Sequence, residues 1–271
     1  MAQPKFLHFK GISLFHYPIP RAIIMTFLLG LLLEVLYFKQ TLLTVTLVPL
    51  IIIGTFILLW LIGGDLFRRR VLKLKKIILP MLLFVGVSFF IFFEISSFLR
   101  QFVIFITLIC FYFFALYYKR IPVEKKEDYY KIESLLNSMI LVTAFLCYLI
   151  IYDLFFTFFT PLWVAMILVL LVSWLLFYYL FWATNLLVSV MPAFVILMGI
   201  IVLEIFSVLS FWRTDPMIRS IILVTVFYVF LGVLSLKIKN EFTGKKVAEY
   251  LAVAAIVLIV TIATMRWYTF Y

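Results

Sequence analysis

Read only for hydrophobic and polar positions, the chain alternates between apolar runs of about twenty residues and short polar breaks. Met81–Lys119 shows the unit most plainly. Two apolar runs flank the polar pair Arg100-Gln101, and one carboxylate, Glu94, stands near the end of the first run. A helix rises about 1.5 Å per residue, so a run of this length crosses about 30 Å of hydrocarbon. Strands of a membrane barrel are about half as long and alternate apolar with polar, a pattern these runs lack. Nine spans are expected, at 22–38, 42–63, 77–98, 102–118, 135–156, 162–182, 187–211, 217–236 and 247–267. Pro80, Pro161 and Pro216 are expected in first turns, where a missing N–H costs little. Pro49 and Pro192 fall further inside their runs, where kinks are expected.

Composition fixes the solvent. The chain is 67% hydrophobic and 13% charged, with a mean hydropathy of +1.26. Polar groups this scarce cannot cover a water-soluble surface. In hydrocarbon every backbone N–H and C=O must be paired within the protein, which continuous apolar runs achieve as helices. The expected fold is all-α: a polytopic transmembrane helical bundle of about nine spans in one integral membrane domain, residues 1–271.

Charge then sets the threading. A net charge of +11 is common in nucleic-acid binders, but the basic residues here sit in short clusters between apolar runs, so no nucleic acid is expected. Eighteen Lys and Arg fall on one side: Lys5, Lys10 and Arg21; Arg68, Arg69, Arg70, Lys73, Lys75 and Lys76; Lys119, Arg120, Lys125, Lys126 and Lys131; Lys237, Lys239, Lys245 and Lys246. Five, namely Lys39, Arg100, Arg213, Arg219 and Arg266, fall on the other. The bias places the N-terminus in the cytoplasm and the C-terminus outside, in the cell (plasma or inner) membrane. The connection between the sixth and seventh spans, near Ala183-Thr184-Asn185, carries no basic residue and is the weak point of this count.

Residues 1–21 mix Lys5, Lys10 and Arg21 with apolar side chains and read as an interfacial segment ahead of a retained anchor. His8 and His16 lack acidic or cysteine neighbours and read as interfacial polar groups. Cys110 and Cys147 lie inside apolar runs and read as small hydrophobes. Trp163, Trp212 and Trp267 are expected at the outer interface and Trp60 and Trp182 at the inner one, with Trp174 mid-span. The segment 119–133 mixes both charge signs. It reads as solvated charge or as a helix with i,i+4 pairs. The run 68–76 reads as a topology determinant, and Arg68, Arg69, Arg70, Lys73, Lys75 and Lys76 are candidate contacts for anionic lipid headgroups.

The candidate chemistry rests on four acids. Glu34, Glu94, Asp153 and Glu204 each stand late in an odd-numbered span, separated by 60, 59 and 51 residues. That spacing suggests tandem helical hairpins at 22–76, 77–133, 134–185 and 186–246, followed by a final span at 247–267. All four would start from the same side, so the repeats would be parallel. Rise per residue puts the acids about 18 to 27 Å across the core, in its outer third. Two readings stand. The acids reach the outer headgroups or pair with Lys39 or Arg100, or several face inward and line one polar site opening outward. Gly30 and Gly86 share a helix face with Glu34 and Glu94, which favours close helix approach there; Gly199, five before Glu204, breaks the pattern.

Signatures of chemistry are absent from the sequence. Gly244-Lys245-Lys246 lacks the rest of a phosphate-binding loop, and no metal-ligand spacing, G-x-S-x-G or H-E-x-x-H motif occurs. No cofactor is expected. The leading reading is a carrier of a small or amphiphilic solute, the alternative a membrane scaffold or assembly subunit. A lipid-modifying enzyme using Glu94 or Asp153 as acid or base comes third. Expected partners are membrane lipids and another membrane protein or a second copy of this chain.

Overall fold

The computed structural model describes residues 18–38, 53–55, 70–93, 96–117, 126–183, 191–212, 214–238 and 242–264. Every regular element among them is a helix. The helices are α1 (Pro18–Phe38), α2 (Arg70–Phe93), α3 (Ser97–Tyr117), α4 (Lys126–Thr157), α5 (Leu162–Ala183), α6 (Met191–Ser210), α7 (Pro216–Ile238) and α8 (Gly244–Thr264). Helices α3 to α8 are long and apolar enough to cross a membrane, whereas α1 and α2 carry shorter apolar segments, Ile23–Val35 and Ile77–Phe93. The expected span 42–63 lies outside the described residues except for one helical turn at 53–55.

Several expectations shift. α2 begins at Arg70, so Pro80 lies inside the helix and not in its first turn. α6 begins at Met191, which moves Pro192 from mid-span into the first turn, where it requires no kink. The polar pair Arg100-Gln101 does not separate two helices. α2 ends at Phe93, α3 begins at Ser97, and Arg100 is buried in the first turn of α3. α4 starts at Lys126, so the second half of the mixed-charge segment is helical.

Local chemistry explains the sharp starts. The Ser96 hydroxyl accepts the Leu99 N–H at 3.4 Å ahead of α3. Asp215 caps α7 through Oδ1, which accepts the Met217 N–H at 2.8 Å, with Pro216 as the first helical residue.

α4 is the hub, packing on α2, α5 and α7. The other extensive pairings are α1 with α3, α5 with α6, and α7 with α8. Most of these join helices from different expected hairpins, so the hairpin repeat does not decide which helices pack closest. Small residues permit the tightest approaches. A Cβ on Gly86 of α2 would lie 3.1 Å from the Leu146 Cβ of α4. The core is rich in rings: Tyr152 meets Phe206 at 4.7 Å, and Phe177 and Tyr148 meet Phe227 at 4.5 and 6.2 Å.

Five buried serine and threonine hydroxyls are satisfied within their own helices. Ser88, Thr107, Thr143, Ser173 and Thr225 each donate to the carbonyl four residues earlier, at 2.7 to 2.8 Å. Because Ser173 gives its proton to Val169, the Tyr148 hydroxyl, 2.8 Å from Ser173 Oγ, is the donor of their pair. That bond ties α4 to α5.

The connections α2–α3, α4–α5 and α6–α7 gather at one end of the bundle. Phe93 stacks edge-on with Phe158 at 5.8 Å, and Arg219 at the start of α7 meets Phe156 at the end of α4. Among the described residues of the basic runs, Arg70 to Lys76 open α2, Lys126 and Lys131 lie in the first turns of α4, Lys237 stands at the end of α7, and Lys245 and Lys246 open α8. Trp163 is exposed at the start of α5, but Trp182 is buried in the bundle against Tyr179, not displayed in an interfacial belt. Trp174 sits mid-helix and partly exposed, as its position suggests, while Trp60 and Trp267 lie outside the described residues.

Candidate functional site

Of the four acids, the three among the described residues occupy separate surroundings. Glu34, near the end of α1, is half-buried and accepts a long hydrogen bond, 3.4 Å, from the Gln101 side-chain amide of α3. Asp153 is half-buried one residue after the core Tyr152 on α4. Glu204 is exposed on α6. Glu94 lies outside the described residues, as do Arg68 and Arg69; Arg70, Lys73, Lys75 and Lys76 fall in the first two turns of α2. Glu34 borders an open groove of about 450 Å³ between α1 and α3, formed by Thr26, Phe27, Gly30, Leu31, Leu108 and Tyr112 among others.

A second cavity, of about 400 Å³, lies between helices and is more enclosed. Phe90 of α2, Leu99, Phe102, Val103, Ile106 and Thr107 of α3, and Leu141, Val142, Phe145 and Leu146 of α4 form one side. Met217, Ile221, Val224 and Thr225 of α7 and Val257 of α8 close the other. Among the described lining residues its hydroxyls are those of Thr107 and Thr225, which donate to the Val103 and Ile221 carbonyls of their own helices at 2.7 Å. The described walls therefore offer almost only hydrocarbon and no uncommitted donor. A site of this size and lining suits an acyl or other apolar group.

One buried polar cluster was not among the sequence candidates. Arg219, in the first turn of α7, is 3% exposed. Its Nε donates to Thr214 Oγ1 at 3.2 Å and its Nη2 donates to the Thr214 carbonyl at 2.5 Å. The guanidinium carbon stands 3.9 Å from the centre of the Phe156 ring and 5.8 Å from that of Tyr152. Stacking a desolvated cation on a ring face contributes on the order of 2 kcal/mol, which offsets part of the cost of burying it. Two buried groups stay unmatched here: Arg219 Nη1 and the Tyr152 hydroxyl have no hydrogen-bond partner.

Arg219 and the apolar cavity use opposite faces of α7, since Met217, Ile221, Val224 and Thr225 point to the cavity while Arg219 points to α4. Charge counting treated Arg219 as an outer-loop cation. The available signal was its place inside an apolar run, four residues after Asp215, where an ionisable side chain has to find partners. Among the described residues, no three His, Cys, Asp or Glu side chains gather in a way that could hold a metal ion.

An all-helical bundle with six membrane-length apolar helices, an apolar interhelical cavity and a buried cation near one end defines an integral membrane protein. The chain belongs to the family described as protein of unknown function, DUF5656, whose model matches residues 19–264. No curated protein and no solved structure matches the chain.

Proposed function

We propose that the protein is a carrier for an amphiphilic solute, with the solute's hydrocarbon part held in the cavity bounded by α2, α3, α4, α7 and α8. The observation that carries this reading is the lining itself: the cavity holds about 400 Å³ and both of its threonines are already bonded to their own helices. An ion or sugar entering it would lose water contacts and gain nothing in exchange. An alkyl chain loses no hydrogen bonds. The basic runs near the starts of α2, α4 and α8 support a cytoplasmic face there, with Arg68 to Lys76 available to anionic headgroups.

The test is uptake of a fluorescent fatty acid by the purified protein in maltoside micelles, followed by transfer between vesicles. Val142→Trp and Thr107→Phe fill the cavity from α4 and α3 and should abolish saturable uptake. Undiminished uptake by both folded variants would sink the carrier reading.

A second reading, a membrane scaffold, has one observation in its favour. Only 11% of the membrane-length window of α8 is buried, which leaves an apolar helix free on most of its circumference. Photo-crosslinkers placed at Ile256 and Ile259 should then capture one discrete protein band in native membranes, whereas capture of lipid alone argues against docking.

A further inference from the structure

Buried polar atoms are matched in more than nine cases of ten, because leaving one bare costs about 1 to 3 kcal/mol. Two bare atoms in one cluster call for a common explanation. Arg219 Nη1 and the Tyr152 hydroxyl are both fully buried and both without a partner, on side chains that face each other across the α4–α7 contact. An arginine N–H can only donate, and a phenol can donate as readily as it accepts. One oxygen that accepts from both would satisfy the pair. A charged oxygen does so best, because the acceptor would lie beside a guanidinium whose hydrogen bonds among the described residues go to the neutral Thr214.

The surroundings say which acceptor fits. Asp215 at the mouth of the cluster caps α7 through Oδ1, which accepts the Met217 N–H, and its charge also acts on Arg219, yet no hydrogen bond joins it to Nη1. The first turn of α7 adds its backbone dipole, positive toward this end. The wall between the guanidinium and the exterior is the ring of Phe156, itself 37% exposed, and Phe158 and Phe159 beyond it are exposed at 56% and 87%. A cation behind a rim of exposed rings, at the end of a membrane bundle, lies where headgroups and acyl chains meet.

We propose that Arg219 and Tyr152 form a phosphate-oxyanion subsite, reached past Phe156 and filled by a phospholipid headgroup or by a free phosphate. It goes beyond the carrier reading and does not depend on it, because the apolar cavity lies across α7.

The test uses the full chain in maltoside micelles, which contain no phosphate, and reads the thermal unfolding midpoint. Dioleoyl phosphatidylglycerol should raise the midpoint, whereas dioleoylglycerol, which has the same tails and no phosphate, should not. If inorganic phosphate also raises it at matched ionic strength, the subsite takes any phosphate; a shift with the lipid alone assigns it to headgroups. Tyr152→Phe removes one of the two donors without removing an internal bond. It should leave the midpoint in plain micelles unchanged and weaken apparent lipid affinity about tenfold, the usual effect of a lost bond to a charged group. Arg219→Gln should abolish the response, and lipid phosphorus retained after exhaustive maltoside washing should fall with it. No shift with either phosphate source, an equal shift with dioleoylglycerol, or a full response in folded Tyr152→Phe would overturn the proposal and leave water as the occupant.

Discussion

α4 and α8 present the same hydropathy to a reader of the sequence, 2.3 over their membrane-length segments, yet 61% of one window is buried and 11% of the other. In water such a match could not coexist with such a difference, because burial is what apolar surface seeks. In a bilayer, lipid tails are as apolar as leucine, and hydropathy decides only whether a helix enters. Shape and hydrogen bonding decide where it sits. α4 carries Tyr148, Tyr152 and Phe145, whose rings and hydroxyls interlock with α5, α6, α7 and the cavity. α8 carries alanines and branched aliphatics, and its ring contact with the bundle is Tyr250 on Tyr228, at 5.4 Å.

The largest effect separating the two helices comes from adding bulk. Gly86→Leu places new atoms where a Cβ alone would stand 3.1 Å from Leu146 Cβ, so α2 must move off α4. Overpacking of this kind costs about 3 kcal/mol. Ala252→Leu adds the same bulk to an exposed face of α8 and should change stability by less than about 0.5 kcal/mol. Unfolding of both variants in mixed micelles titrated with a denaturing detergent checks the pair. Equal losses would mean that α8 is packed as tightly as α4.

The same contrast explains what could be read in advance. The class of fold and most helix positions were legible, because apolar length and the need to pair every backbone group in lipid leave few alternatives. The helix start at Pro216 was legible for an equally local reason, since a first turn tolerates the missing N–H. Burial was not, since a lipid-facing run such as 251–262 and a core run such as 139–152 are written in the same residue classes. Pro80 misled because the basic residues ahead of it belong to the helix, whose backbone continues past the membrane-length segment. The acids drew attention as the sparse charges in apolar runs, yet the buried charged side chains among the described residues are Arg100 and Arg219. A count of cations by side ignores depth, and Tyr152, the unsatisfied neighbour of Arg219, reads as one more aromatic.

A middle-sized effect tests how α8 is held. Gly232 of α7 lies against the Tyr250 ring, which would occupy the space of any Cβ there. Gly232→Leu should lift α8 away while leaving the α4–α7 core intact. The expected loss is about 1 to 2 kcal/mol, confined to one helix. Spin labels on α7 and α8 should move apart, while a pair on α4 and α7 keeps its separation. If both distances change, α8 is a structural part of the core and the contrast between the two helices fails.

The smallest effect lies within α4, between two tyrosines one turn apart. Tyr148 and Tyr152 are equally buried, at 0% exposure. The hydroxyl of the first donates to Ser173 at 2.8 Å, and that of the second has no partner. Removing an interhelical hydrogen bond inside a membrane bundle costs about 0.6 to 1 kcal/mol, so Tyr148→Phe should lower stability by that amount. Tyr152→Phe deletes an oxygen that makes no bond and should be neutral or slightly stabilising in phosphate-free micelles. Burial alone would predict equal changes. Thermal unfolding of the two variants side by side therefore asks whether the hydroxyl's partner, and not the ring's depth, sets the contribution of a core tyrosine; matching losses would answer no.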